Sequence, residues 1–298
     1  MKVLVLMGAT ATGKSGLALR LAEDSGREII SADSRQIYRG LRIGTAQPSS
    51  SERTRVVHHL VDFLSPEENW SAQEFADAAL AVIRSRSVAP PLVVGGTGFW
   101  LRSMMQGLFP LDIPREATLA ARARLEADDT ENLQARLARV DPESADRLHA
   151  KDRQRILRAL EVFEATGRIL SEHHRLDRRK PEGIDWRPVV LQVARKELHR
   201  RIEIRLDAML EQGWVEEVKA LLGSGLDPEA AAMKTLGYPE ITAVLKGELK
   251  LEEARERILY RTRQYARRQE IWFRREEGLR VDPDDPSTPE RLAHLLES

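Results

Sequence analysis

The apolar pattern of the chain changes character twice. In the first third, short apolar runs at residues 3–7, 28–32 and 92–94 alternate with amphipathic stretches, and 57–63 is a further candidate run. Runs of this length bounded by turn residues predict buried strands. Between them, 14–23 and 71–86 carry helical spacing. The second of these opens on Ser71 with Glu74 three residues on, a capping box, and is followed by Pro90-Pro91. Strands alternating with helices predict a parallel sheet covered on both faces, with ligands bound beyond the carboxyl ends of the strands.

Near Pro110 the alternation stops. LDIP (111–114) reads as a linker, 118–176 is almost entirely helix-forming with Asp141-Pro142 as punctuation, and 178–188 (RRKPEGIDWRP) reads as a second linker. A strand at 189–193 then returns to the sheet, and the chain is helical from Leu198 onward. Gly213, Gly223-Ser224-Gly225 and Leu236-Gly237-Tyr238-Pro239 break that helical region, and 282–289 is a turn-rich connection to a short terminal helix. The expected fold class is α/β: a P-loop NTPase-like parallel sheet covered by helices, with an all-helical insertion domain. Residues 1–112 and 187–298 would form the core and 113–186 the insertion, a lobe that moves separately.

Composition narrows the classes. The chain has 298 residues, 42% hydrophobic and 32% charged, which describes a globular protein. No stretch approaches the ~18 apolar residues of a membrane span. The first strand begins at once, leaving no room for a signal peptide, and cysteine is absent. Disulfides and cysteine-ligated zinc are therefore excluded, and a reducing cytoplasm is the expected location. With 47 basic and 47 acidic residues there is no global basic field, so a nucleic-acid partner would be held by local clusters.

Candidate chemistry begins at GATATGKS (8–15), which fits G-x-x-x-x-G-K-[ST] between a strand and a helix. Gly8 and Gly13 let successive N–H groups turn inward toward an anion. The helix adds its positive end, Lys14 a point charge, and the Ser15 hydroxyl a ligand for Mg²⁺. This pattern predicts a di- or triphosphate ligand without specifying its chemistry. Asp33 ends the second strand, where it can coordinate metal, cap a helix or accept a proton. Gln36 could pair with an adenine edge. The run at 92–94 ends in Gly95-Gly96-Thr97-Gly98 with no acid. Small residues there suit either a ligand close to the backbone or a turn with positive φ. The C-terminal stretch 251–275 interleaves arginines (255, 257, 261, 263, 267, 268, 274, 275) with aromatics. Ile258, Tyr265 and Trp272 recur every seven residues and predict a stripe packed on the body, rimmed by arginines that are either solvated or track RNA. His58-His59 has no partner at metal-ligand spacing and reads as structural.

These segments together resemble the tRNA dimethylallyltransferases. The resemblance runs through GATATGKS (8–15), SADSRQIYRGLRIGTAQP (31–48), HHLVDF (58–63), WSAQEF (70–75), VVGGTGFWL (93–101), DRQRILRALEVFEATG (152–167), RIEIRLDAMLEQGWVEEV (202–218), LGYPEI (236–241) and RTRQYARRQEIWFRR (261–275), in family order. Ala9 and Thr12 stand where proline and serine are usual. The resemblance implies that Gly8, Ala9, Thr10, Ala11, Thr12, Gly13, Lys14 and Ser15 bind the diphosphate of dimethylallyl diphosphate, with Mg²⁺ at Ser15. It implies Asp33 as the general base toward the exocyclic amine of the adenosine 3′ to the anticodon, with Thr97 and Arg205 stabilising the leaving group. It implies tRNA contacts at Asp33, Ser34, Arg35, Gln36, Thr97, Arg122, Gln154, Arg155, Ile156, Leu157, Arg158, Lys234, Thr235, Leu236, Gly237, Tyr238 and Pro239. A cytoplasmic monomer whose insertion grips the anticodon stem-loop completes the expectation, and the loop leaves ATP binding open. An adenylate dimethylallyltransferase, a nucleoside or nucleotide kinase, and a non-catalytic RNA-binding NTPase switch are the alternatives.

Overall fold

The structure, a computed structural model, describes residues 1–86, 89–108, 113–176 and 180–297. Residues 111–112 of the stretch 111–114 and 178–179 of the stretch 178–188, both stretches expected as linkers, lie outside the described residues. The chain divides into two compact units, Met1–Met105 with Pro181–Ser298, and Gln106–Lys180.

The larger unit is built on strands β1 (Lys2–Gly8), β2 (Ile29–Ala32), β3 (His58–His59), β4 (Leu92–Gly95), β5 (Asp185–Leu191) and β6 (Leu279–Val281). They form one sheet in the order β3-β2-β4-β1-β5-β6, every pair parallel. β1 is central and pairs with β5 from Lys2↔Asp185 to Gly8↔Leu191. Its alternate residues serve two cores, as the period of a strand requires. Val3, Val5 and Met7 pack with Phe75, Trp100 and the helix Leu251–Phe273. Leu4 and Leu6 pack with the helices Lys14–Ser25 and Thr288–Glu297.

Two strand expectations are corrected, and one strand is unanticipated. The strand expected at 189–193 is β5, which starts at Asp185, inside the stretch read as a linker, and ends at Leu191. The run at 57–63 contributes only the two residues of β3, because Leu60 (φ 61) and Asp62 (φ 57) adopt left-handed conformations that end the pairing. β6, three residues long at the other edge, carries no sequence pattern strong enough to anticipate. The capping box at Ser71 is present: its side chain accepts from Glu74 N at 3.1 Å, and Glu74 accepts from Ser71 N at 2.7 Å.

The smaller unit is helical, with helices at Arg115–Leu125, Thr130–Val140, Pro142–Arg147, Arg153–Thr166 and Leu170–Arg175. Leu125, Leu133, Leu137, Ile156, Leu157 and Leu160 form its own core. Asp141 is the hinge of its packing. One carboxylate oxygen caps the helix beginning at Pro142 through Ser144 N at 3.1 Å, and the other accepts from Ser171 N at 3.0 Å. Among the described residues no helix is long and apolar enough to cross a membrane.

Candidate active site

The loop after β1 turns through Ala11 (φ 61) and Gly13 (φ 86), and the helix Lys14–Ser25 starts from Gly13. Ala11, a non-glycine residue in the left-handed region, holds a strained conformation there. Thr12 is buried, and its hydroxyl donates to the Ala9 carbonyl at 2.9 Å, bracing the loop from within. Lys14 Nζ donates to the carbonyls of Gly8 at 2.9 Å and Ala9 at 2.5 Å. Burial pushes the Lys14 ammonium down to about 7, the nearby Arg205 adds to this, and Asp33 opposes it. Arg205, on the helix Arg195–Glu211, has no hydrogen-bond or salt-bridge partner among the described residues. Burial lowers its pKa and Asp33 raises it. Lys14, Asp33 and Arg205 therefore form one electrostatic group.

Asp33 follows β2 directly, and its Oδ1 accepts from Arg35 N at 2.8 Å, which fixes the carboxylate by a turn of its own backbone. Thr97 follows β4. Its N–H donates to the Ala32 carbonyl at 3.2 Å, and its hydroxyl accepts from Ser34 N at 3.0 Å. The ends of the two adjacent strands are thus tied together around Asp33.

The glycines beside Thr97 do not serve a turn: none of Gly95, Gly96 and Gly98 has positive φ. Nor is it a ligand that they admit. A Cβ on Gly95 would collide with Ala32, one on Gly98 with Trp272, and one on Gly96 would lie 2.5 Å from Gln269 Nε2. The close approach is made by the protein itself, chiefly by the helix Leu251–Phe273. Gln269, buried on that helix, accepts from Thr10 N at 2.8 Å and donates to the Gly96 carbonyl at 2.9 Å. The expected packing stripe is present, with Ile258 buried and Trp272 half-buried under Arg102, whose guanidinium lies 4.3 Å from the ring. Several of the arginines are paired rather than solvated: Arg255 with Asp207 and Glu203, Arg263 with Glu203, and Arg261 with Glu240.

A cavity of about 510 Å³ opens at the carboxyl ends of β1 and β2. Thr10, Ala11, Asp33 and Arg205 line it on one side, and Tyr265 and Arg268 of the long helix on another. Ser34, Arg35, Lys234, Thr235 and Leu236 also face it. Burial and the Asp33 carboxylate both push the Tyr265 phenol up.

Other residues with expected RNA contacts are placed differently. Gln36 has its amide engaged, donating to Ala46 O at 2.7 Å and accepting from Ser31 Oγ at 2.9 Å, so it holds the loop 36–46 and offers no free edge to a base. Tyr238 is fully buried with its hydroxyl donating to Glu217 at 2.7 Å, and Gly237 (φ 94) leaves room for the Trp214 ring. Thr235 is buried as well, while Lys234 and Pro239 remain exposed. In the smaller unit Ile156 and Leu157 point into the core, since a helical turn can present only some of residues 154–158 to solvent. Gln154 and Arg158 join Arg122 in a network around the buried carboxylate of Glu161: Arg122 donates to it at 3.0 Å, Arg158 at 3.3 Å, and Arg122 also reaches Gln154 at 2.8 Å. Arg155 is exposed.

No group of three or more His, Asp or Glu that could hold a metal occurs among the described residues. His59 pairs with Glu28 at 2.7 Å, and His58 Nδ1 lies 2.8 Å from the Val56 carbonyl, as expected of structural histidines. The exposed Ser15 hydroxyl at the loop mouth suits an ion carried in mainly by phosphate oxygens and water, the usual habit of Mg²⁺.

Fold and site combine a P-loop-like turn with a strand-end carboxylate, Asp33, near enough to Lys14 and Arg205 to act on both, and similarity to known proteins makes the class a transferase. The IPP transferase family profile matches residues 36–276. A tRNA dimethylallyltransferase 2 from Geotalea uraniireducens is 45% identical over 283 residues, covering 92% of this chain and 90% of that protein. Among solved structures, a tRNA delta(2)-isopentenylpyrophosphate transferase from Staphylococcus epidermidis superposes with a TM-score of 0.70 at 29% identity, over 99% of this chain and 98% of that one. A eukaryotic dimethylallyltransferase captured acting on tRNA gives 0.78 at 29% identity, over 91% and 69%. The chain belongs to the IPP transferase family.

Proposed function

We propose that this protein is a prenyltransferase that moves the dimethylallyl group of dimethylallyl diphosphate onto the exocyclic amine of the tRNA adenosine 3′ to the anticodon. The observation that carries the reading is the juxtaposition of a phosphate loop, a strand-end carboxylate and the half-buried Arg205 at one cavity. The amine nitrogen attacks the allylic carbon, a C–N bond forms, the C–O bond breaks, and diphosphate leaves. Asp33 takes the proton that the amine releases. Lys14, the loop amides and Arg205 face the charge that grows on the departing diphosphate. A donor aimed at developing charge contributes about 3–4 kcal/mol. Thr97 positions the backbone on which Asp33 stands. Mg²⁺ held by the diphosphate and Ser15 would neutralise part of the leaving group's charge.

The adenosine must leave its stack to reach the cavity, and this costs a few kcal/mol, least in a single-stranded loop. Tyr265 and Arg268 offer a ring and a guanidinium plane that support stacking of such a base. Ser34, Arg35, Lys234 and Leu236 would carry neighbouring RNA contacts, and Arg122, Gln154, Arg155 and Arg158 those of the helical unit. We place this activity in a cytoplasmic monomer, with no role assigned to ATP.

Incubation with dimethylallyl diphosphate, Mg²⁺ and either unmodified tRNA or AMP, followed by mass analysis, tests the reading. Prenylation of tRNA alone is expected. Prenylation of AMP would reassign the acceptor, and no product on either would reject prenyl transfer.

A further inference from the structure

The long C-terminal helix does two jobs within one turn. Tyr265 and Arg268 line the cavity, and Gln269, the next residue, is turned inward to the phosphate loop. The Gln269 amide is used at both ends. Its oxygen accepts the Thr10 N–H at 2.8 Å, and its nitrogen donates to the Gly96 carbonyl at 2.9 Å. Thr10 immediately precedes the strained Ala11, so this bond holds the loop crest where its conformation is least favourable. Gly96 has no Cβ because Gln269 occupies that space. Only a side chain with an acceptor and a donor at this length can satisfy both half-buried partners.

We infer that Gln269 is a positioning residue for donor binding: it sets the crest of the phosphate loop from the helix whose preceding residues face the acceptor. The inference rests on the prenyl-transfer reading. Gln269 touches neither substrate in this account. It acts through Thr10, and its loss should be felt on the diphosphate side first, since the cavity wall at Tyr265 and Arg268 keeps its own packing.

The test uses Gln269→Met, which keeps length and volume without hydrogen bonds, Gln269→Glu, which keeps the acceptor but loses the donor, and Gly96→Ala, whose Cβ displaces an intact glutamine. Inorganic diphosphate binding is measured by calorimetry, and the KM of each substrate by steady-state transfer. We expect Gln269→Met and Gly96→Ala to weaken diphosphate binding and raise the donor KM at least tenfold, with the tRNA KM within twofold of the parent. Gln269→Glu should be at least as impaired as Gln269→Met, because a carboxylate faces the Gly96 carbonyl. Unchanged diphosphate affinity in folded Gln269→Met, or equal losses for both substrates, would overturn the inference while leaving prenyl transfer standing. An inactive parent enzyme would instead reject prenyl transfer, and diphosphate calorimetry would still decide the role of Gln269.

Discussion

The Thr97 hydroxyl accepts the backbone N–H of Ser34 at 3.0 Å, so the end of β4 holds the residue next to Asp33. The same Thr97 donates its own N–H to Ala32, one residue before Asp33, at 3.2 Å. The carboxylate is thereby clamped from both sides by a strand that carries no acid of its own. Replacement by valine keeps the shape but leaves the Ser34 amide without its acceptor. Thr97→Val should lose about 1–2 kcal/mol of stability, the usual consequence of an orphaned amide. Transfer should fall about tenfold or more through misplacement of Asp33. Chemical denaturation and single-turnover rates check this, and a stable variant with parental turnover would contradict it.

Lys14 ties catalysis to pH. Its pKa in the free protein is about 7, lowered by burial and by Arg205. Diphosphate favours the charged ammonium and raises that pKa on binding. Below about 7 the lysine is already protonated and binding takes up no proton there. As pH rises through 7 binding must recruit one, so donor affinity falls, by up to about tenfold per pH unit. Diphosphate calorimetry in buffers of different ionisation enthalpy should reveal proton uptake at pH 8 and little at pH 6. Equal uptake at both would contradict the assignment, as would persistence of the effect in Lys14→Met.

Glu217 organises the loop beside the cavity. Its carboxylate accepts the N–H groups of Arg42 at 2.8 Å, Ile43 at 2.7 Å and Gly44 at 3.2 Å, together with the Tyr238 hydroxyl at 2.7 Å. Hydrogen bonds to a charged group contribute about 1.5–3 kcal/mol, and removing this hub orphans several donors at once. Glu217→Ala should be destabilised by about 3 kcal/mol and lose affinity for tRNA more than for diphosphate, since Gly44 and Thr45 line the cavity. Thermal unfolding and binding titrations check this. Tyr238→Phe, which removes one of the four donors, should cost about 1 kcal/mol.

Much of the scaffold was legible because its signals are local. The phosphate loop, the strand at 3–7 and the capping box at Ser71 are each specified within a few residues. The failures came where meaning depends on what packs opposite. Gly95, Gly96 and Gly98 read as room for a ligand or a turn, but they make room for Ala32, Gln269 and Trp272. A family motif also does not say which of its residues faces solvent, so Ile156, Leu157 and Tyr238 travelled with their exposed neighbours and proved to be core. Gln269 did leave a trace: it occupies a buried position on the stripe of Ile258, Leu259, Ala266 and Phe273, where a polar residue needs partners. Glu217 left none, since three of its four partners are backbone amides far away in sequence and the fourth is the hydroxyl of the buried Tyr238.

Asp33 as the base is the centre of the account, and Asp33→Asn tests it most directly. The amide keeps an oxygen to accept the Arg35 N–H but cannot take a proton from the adenine amine. Single-turnover transfer from dimethylallyl diphosphate to tRNA should fall about 10²–10⁴-fold, the range for loss of a general base. Diphosphate affinity measured on the same preparation should stay within a few-fold of the parent. A parental single-turnover rate in this variant would remove Asp33 from the chemistry, and with it the mechanism proposed for this site.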